Sequence, residues 1–131
     1  MDGVEFRPMD HSDEAYVLST WARSHRDHAR RTHRTPAKLD EYRAGVMLPA
    51  VNLAGVTVAC SSEHRGTLLG WICATPRVLH YVYVRDALRC QGLAREMIAA
   101  AMGGYGERIA CASKWPFRSQ RFVFDAARRV A

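Results

Sequence analysis

The chain has 131 residues, of which 48% are hydrophobic and 24% charged. This is ordinary globular composition, and the length suits one domain over residues 1–131. No apolar run reaches transmembrane length, and the N-terminal MDGVEFRP lacks the apolar region of a signal peptide. We therefore expect a cytoplasmic protein with no membrane partner, whose net charge of +6 favours acidic partners.

The cysteines predict neither a disulfide framework nor a metal site. They show no C-x-x-C pairing and no histidine at zinc spacing, so we expect reduced thiols. Cys60, Cys73 and Cys111 fall within predicted strands. Cys90 precedes a helix and lies among arginines. Its thiol is reactive there, or the residue is part of the loop and contributes mainly its backbone amide.

The N-terminal part of the chain predicts a strand followed by a helix. The strand runs from Val4 to Arg7 and is closed by Pro8. Asp10 or Ser12 can cap the helix, because both side chains accept hydrogen bonds from the first amides. The buried face of this helix has apolar residues at helical spacing: Leu18, Trp21, Ala22 and His25.

A second helix is predicted from Thr35, the cap, and Pro36, at the first helical position. Leu39, Tyr42 and Val46 lie at helical spacing within it, and Gly45 and Pro49 disturb it.

The segment Arg23–Arg34 joins these helices and is the densest positive run in the chain. Five arginines alternate there with His25, His28 and His33. One interpretation is a solvated helix end, where arginine is favourable. The other is a surface for a polyanionic substrate or nucleic acid, because guanidinium groups bind phosphate in a bidentate manner. The histidines are too irregularly spaced to indicate a metal site.

The middle of the chain predicts an antiparallel meander of strands over Val56–Cys60, Thr67–Thr75 and Val78–Val84. A helix follows from Leu93 to about Met102, and Gly103, Gly104 and Gly106 end it.

The C-terminal part predicts a short strand over Arg108–Ala112. A final helix is predicted over Phe117–Val130, with Phe122, Ala126 and Val130 on one side.

The turn between the third meander strand and its helix carries the sequence R-x-x-G-x-A, from Arg89 to Ala94. Its backbone amides and the first turn of the helix direct unpaired N–H groups and the positive end of the helix dipole at one spot. Gly92 lets the main chain approach a ligand closely, and a pyrophosphate fits best. The alternative interpretation is a βα turn in which the glycine is present for steric reasons only.

This turn, with the upstream V-x-V triplet Val82-Tyr83-Val84, resembles motif A of the GCN5-related N-acetyltransferases (GNAT). The resemblance implies an α/β (α+β) fold with a mostly antiparallel twisted sheet, in the order β1-α1-α2-β2-β3-β4-α3-β5-α4. It implies acetyl-CoA as the cofactor, bound where the fourth and fifth strands separate, with the first two helices as one wall of an acceptor groove. The implied cofactor-binding residues are Val82, Tyr83, Val84, Arg89, Cys90, Gln91, Gly92, Leu93 and Ala94.

The sequence also departs from the family. Two further strands usually follow the final helix and complete the groove. Without them, either the groove is more open or a second subunit supplies the edge, as in a homodimer. The tyrosine that usually protonates the leaving thiolate is missing, since no tyrosine follows Tyr105 and Phe122 and Phe124 lie near its position.

The family's histone-type members carry a glutamate base on the fourth strand, where this chain has Val78-Leu79-His80-Tyr81. Such a base helps because a lysine-like amine is protonated at about pH 7, which costs about 4.6 kcal/mol to reverse. His80 is the natural substitute, and strand alternation places it on the face of Val82 and Val84. A packed or surface strand histidine is the alternative, and Glu63 is a distant second candidate base. Tyr81, Tyr83 or water would protonate the thiolate.

Three functions follow from this interpretation. The first is an acetyl-CoA-dependent N-acetyltransferase that acts by direct transfer on a primary amine of a small molecule or protein. The second is a non-catalytic GNAT-fold protein that binds an acyl-CoA or a macromolecular partner. The third is a nucleic-acid-binding protein that uses Arg23–Arg34, ranked last because few aromatics lie among the arginines. The first and third combine in a transferase acting on a nucleic-acid-linked amine.

Overall fold

The computed structural model describes residues 2–31, 33, 35, 38–102, 109–111 and 122–124. Its six strands form one sheet in chain order. The first four strands pair antiparallel, and the last two continue the sheet in parallel. The strands are β1 Val4–Pro8, β2 Thr57–Ser61, β3 Leu68–Ala74, β4 Val78–Val84, β5 Ile109–Cys111 and β6 Phe122–Phe124.

Four α-helical segments accompany the sheet: α1 Glu14–Arg31, α2 Leu39–Tyr42, α3 Leu48–Ala54 and α4 Leu93–Met102. A π-helical turn, Arg43–Met47, joins α2 to α3, so the three pieces form one continuous but irregular helix. The sequence prediction of a helix disturbed near Gly45 and Pro49 is therefore confirmed. None of the described helices is long and apolar enough to cross a membrane.

The helices pack against opposite faces of the sheet and form two cores. On one face, Trp21 of α1 and Met47 pack against Trp71 of β3. On the other face, Leu93 and Met97 of α4 pack against strands β2–β4. The predicted α+β class is confirmed, with β4 and α4 at the predicted residues because their apolar spacing matches the core they meet.

Two predictions of helix position are wrong. Phe122–Phe124 is a strand paired with β5, where the final helix Phe117–Val130 is predicted. Aromatic and β-branched residues favour strands, and a short apolar run does not distinguish a strand from a helix by period alone. The second helix begins at Leu39 and not at Thr35. The remainder of Phe117–Val130, Pro36 and the glycines from Gly103 to Gly106 lie outside the described residues.

An ion pair between Arg7 and Asp13 fixes β1 to the start of α1. The two Arg7 terminal nitrogens lie 2.6 and 3.1 Å from the Asp13 carboxylate oxygens. Asp10 caps the preceding turn, as predicted, by accepting a hydrogen bond from the Ser12 amide. The Arg7 guanidinium lowers the pKa of the Asp13 carboxyl below its usual range, because it stabilises the charged form.

Candidate functional site

The turn between β4 and α4 has the backbone geometry that the R-x-x-G-x-A pattern predicts. A single 3-10 turn, Asp86–Leu88, follows β4 and leads into this loop. Cys90 has a φ of 65° and Gly92 a φ of 87°. A Cβ on Gly92 would meet no atom of the described residues within 4 Å. A side chain there would therefore not clash with the part of the protein that the structure describes.

The first turn of α4 presents main-chain donors without acceptors. The Glu96 amide donates to the Gly92 carbonyl at 3.1 Å, which is the first bond of the helix. Within the part of the chain that the structure describes, the amides of Gly92, Leu93 and Ala94 donate to no acceptor. Such amides, at the positive end of a ten-residue helix, bind an anion well. The local arrangement thus fits a diphosphate.

Arg89 connects the end of β4 to this turn. Its Nε donates to the Val84 carbonyl at 3.0 Å, and one terminal nitrogen lies 2.7 Å from the Asp86 carboxylate. The guanidinium carbon also lies 5.9 Å from the centre of the Tyr83 ring. The Gln91 side-chain amide donates to the Ala87 carbonyl at 3.3 Å. Both polar side chains of the loop therefore brace the turn, which leaves ligand binding to its amides.

The described part of β5 pairs with the start of β4. Val78 and Leu79 are opposite Ala110 and Cys111. Among the described residues, no strand pairs with Tyr81–Val84 on the β5 side. An open strand edge can accept an extended ligand as an additional strand. The chain continues from this strand through the 3-10 turn Asp86–Leu88 into the turn at Gly92.

His80 directly follows the two β4 residues that pair with the described part of β5. Cys73 is opposite Tyr81 and Ala74 is opposite Leu79, so His80 is the extra residue of a β-bulge. The bulge interrupts the alternation on which the sequence prediction relied, because Leu79 and Val82 both pack on the α4 side. The predicted shared face of His80, Val82 and Val84 therefore does not follow from strand alternation.

The side chain of His80 is buried, and its hydrogen-bonding capacity is not fully used. The residue is 4% exposed, and its Nε2 has no hydrogen-bond partner among the described residues. Burial lowers the pKa of His80 below the ordinary value of 6.5, because it disfavours the charged imidazolium. The imidazole is accordingly neutral at about pH 7 and retains the capacity to accept a proton. The other candidate base, Glu63, is exposed in the turn between β2 and β3.

The two tyrosines of β4 face α1 and differ in exposure. Tyr81 is buried against Trp21 and Trp71, with ring centres 5.2 and 5.7 Å away. Burial raises the pKa of the Tyr81 phenol, because it disfavours the charged form. Tyr83 is half-buried, and burial and the nearby Tyr16 hydroxyl raise its pKa. Both phenols are therefore protonated at neutral pH, and only Tyr83 retains exposed surface.

Two residues near the site did not emerge from the sequence prediction. Gly70 of β3 lies so close to β4 that a Cβ would approach the Tyr83 carbonyl oxygen to 2.5 Å and the Met97 Cε to 3.2 Å. A glycine inside a predicted strand is a signal for such an approach. For Asp86, which pairs with Arg89, the sequence signal is the spacing of three residues between the two side chains.

Among the described residues, no group of three His, Cys, Asp or Glu side chains is placed to hold a metal ion.

Comparison with known proteins supports the fold at low sequence identity. No protein-family model matches the sequence, and no curated protein matches it either. The solution structure of apo YjaB from Escherichia coli, a GNAT-fold protein, is similar with a TM-score of 0.51 and 16% identity. An acetyltransferase structure from Trypanosoma brucei matches with a TM-score of 0.41 and 18% identity, over 78% of each chain.

The alignment with YjaB covers 76% of this chain and 65% of YjaB, so the chain spans about two thirds of that protein's length. A likeness at this level of identity concerns the arrangement of the backbone. The chain therefore has a GNAT-like α+β fold.

Proposed function

We propose that this protein is an acetyl-CoA-dependent N-acetyltransferase, which transfers an acetyl group directly to a primary amine. One observation carries the proposal: the main-chain donors at Gly92–Ala94 follow in the chain on Tyr81–Val84, a strand edge that has no partner on the β5 side among the described residues. A CoA thioester has the same two parts, an extended pantetheine arm and a diphosphate. The strand edge therefore matches the pantetheine arm, and the turn matches the diphosphate of the same ligand.

The described residues fit this ligand without a large side-chain contribution. The amides from Cys90 to Ala94 would bind the diphosphate, and Gly92 lets it approach the main chain. The backbone of Tyr81–Val84 would hold the pantetheine arm by strand addition. Acetyl-CoA supplies the acetyl group as a reactive thioester.

His80 is the proposed base in this mechanism. The acceptor amine must lose a proton before or during attack, and the neutral imidazole of His80 can take it directly or through a water molecule. The unpartnered Nε2 and the lowered pKa support this role, since the ring is neutral where the reaction runs. The partly exposed Tyr83 hydroxyl is the better donor to the leaving thiolate, because Tyr81 is enclosed by tryptophans.

A transfer assay tests the proposal. Purified protein is mixed with acetyl-CoA and a panel of primary amines, and release of free CoA thiol is followed. We expect amine-dependent release, reduced about 100-fold or more in a His80→Ala variant, as for loss of a positioned base. A Glu63→Ala variant serves as the control and should retain its rate. Tight acetyl-CoA binding without transfer to any amine would instead support a non-catalytic acyl-CoA-binding protein.

A further inference from the structure

The outward side of α1 carries three arginines in a row. Arg23, Arg26 and Arg30 are all exposed. Their spacing of three and four residues places them on one face of the helix, opposite the face that buries Val17 and Trp21. We refer to Arg23, Arg26 and Arg30 as the arginine face.

The charges of the arginine face are not neutralised within the described part of the chain. Among the described residues, no carboxylate lies within ion-pair distance of these three guanidinium groups. By contrast, Arg7 pairs with Asp13 and Arg89 pairs with Asp86. Asp27 is the one acid between Arg23 and Arg30 in the sequence, so the face retains an excess of positive charge. Burial of the opposite side explains why this face is polar, but not why it consists of arginine.

The spacing of the arginine face suits a polyanion with regularly placed charges. At a rise of about 1.5 Å per residue, successive guanidinium groups start about 4.5 and 6 Å apart along the helix axis. Each can make a bidentate contact with a phosphate, which lysine cannot do. Nucleic acid carries its charges at fixed, close intervals on a rigid backbone.

We propose that the arginine face binds the phosphate backbone of double-stranded nucleic acid without reading its sequence. A duplex is favoured over a single strand because α1 offers no base-stacking platform. Of the aromatic residues of α1, Trp21 is buried and Tyr16 packs edge-on against Tyr83 at 6.3 Å. Without stacking, phosphate contacts provide the binding energy.

This inference is independent of the acetyl-transfer proposal. The arginine face lies on α1, and the diphosphate site lies at the start of α4, which packs on the opposite face of the sheet. Loss of one site therefore leaves the other in place.

The test measures binding of fluorescently labelled RNA and DNA duplexes by anisotropy, at salt concentrations from about 50 to 200 mM. A single strand of the same sequence and polyglutamate serve as competing polyanions. The variant Arg23→Gln/Arg26→Gln/Arg30→Gln is compared with Arg77→Gln/Arg85→Gln/Arg95→Gln, which removes the same charge from exposed positions elsewhere. Acetyl-CoA binding of both variants is measured separately.

If the arginine face makes three phosphate contacts, we predict that the logarithm of duplex affinity falls with the logarithm of salt concentration with a slope of about −2.7. The affinity should then fall about 40-fold over this salt range. The arginine-face variant should lose most of this dependence and bind at least about 10-fold more weakly at low salt, while the charge-matched control stays within about threefold. Unchanged acetyl-CoA binding would confirm that the arginine-face variant is folded. Equal losses in both variants, or equal or tighter binding of the single strand or polyglutamate, would overturn the proposal.

Discussion

The side chain of Arg89 donates a 3.0 Å hydrogen bond from Nε to the carbonyl oxygen of Val84. This bond joins the last residue of β4 to the first residue of the R-x-x-G-x-A turn. The Arg89 side chain thus helps to fix the two parts of the sequence signature relative to each other, together with the Gln91 side chain, which donates to the Ala87 carbonyl.

Replacing Arg89 by methionine should weaken acetyl-CoA binding by about 5–10-fold, as expected when one charge-assisted hydrogen bond of about 1–1.5 kcal/mol is lost. Methionine retains much of the apolar stem beside Tyr83 but cannot hold Val84. Isothermal titration calorimetry measures the change. Asp86→Asn is the control, because its carboxylate is exposed and such pairs contribute little. An equal effect of both variants would contradict this assignment.

Replacing His80 by leucine should leave the protein at least as stable as the wild type at about pH 7, because an unpartnered buried nitrogen is removed. Since the folded pKa of His80 lies below 6.5, the unfolded state binds the proton more readily. The wild type should therefore lose stability as the pH falls below about 6.5, until the folded pKa is passed. Urea unfolding of the wild type and the variant, at pH values above and below about 6.5, measures this difference in stability. A variant with the same pH dependence would contradict a buried neutral histidine.

Replacing Asp13 by asparagine should lower the free energy of unfolding by about 1.5–3 kcal/mol at neutral pH, because the paired carboxylate is lost from a mostly buried site. The folded pKa of Asp13 lies below its ordinary value, so its contribution is present above about pH 4 and is lost as the pH falls further. Urea titrations across this range test the sign. Asp27→Asn, at an exposed position, should change little.

Replacing Gly70 by alanine should destabilise the fold by about 1–3 kcal/mol, because the new Cβ meets the Tyr83 carbonyl oxygen, which belongs to the backbone and cannot move aside as a flexible side chain would. Gly45→Ala is the matched control. A Cβ at Gly45 meets nothing within 4 Å, and alanine favours helix, so stability should be unchanged or slightly increased. Chemical unfolding of both variants decides whether β3 and β4 are as close as the structure indicates.

The sequence predicted the meander and α4 because their apolar patterns match the cores that they meet. The turn at Gly92 was predicted from the chemistry of its residues, and its positive φ confirms the backbone requirement. The bulge at His80 was not predictable, since a register shift depends on how β3 and β4 pair and not on the local pattern. For the same reason, alternation along β4 does not determine the face of the sheet on which His80 lies.

The strand at Phe122–Phe124 was mistaken for helix because three apolar residues fit either period. The partnership of Arg7 with Asp13 likewise depends on the fold, since β1 must end against the start of α1 before the two side chains meet. Local sequence patterns predict elements well, whereas contacts between elements need the three-dimensional arrangement.

The central claim is that the open space beside Gly92 receives the diphosphate of a CoA thioester. Gly92→Ala and Gly55→Ala test it together, since both glycines have positive φ and a Cβ at either meets nothing within 4 Å. Alanine strains the backbone at both positions, and Gly55, with a ψ of 176°, lies in a region that is essentially restricted to glycine, so the control carries a backbone cost of its own. We predict by calorimetry that Gly92→Ala weakens acetyl-CoA binding at least about 10-fold, while Gly55→Ala binds as the wild type does. Undiminished binding in Gly92→Ala, or no binding by the wild type, would contradict the account.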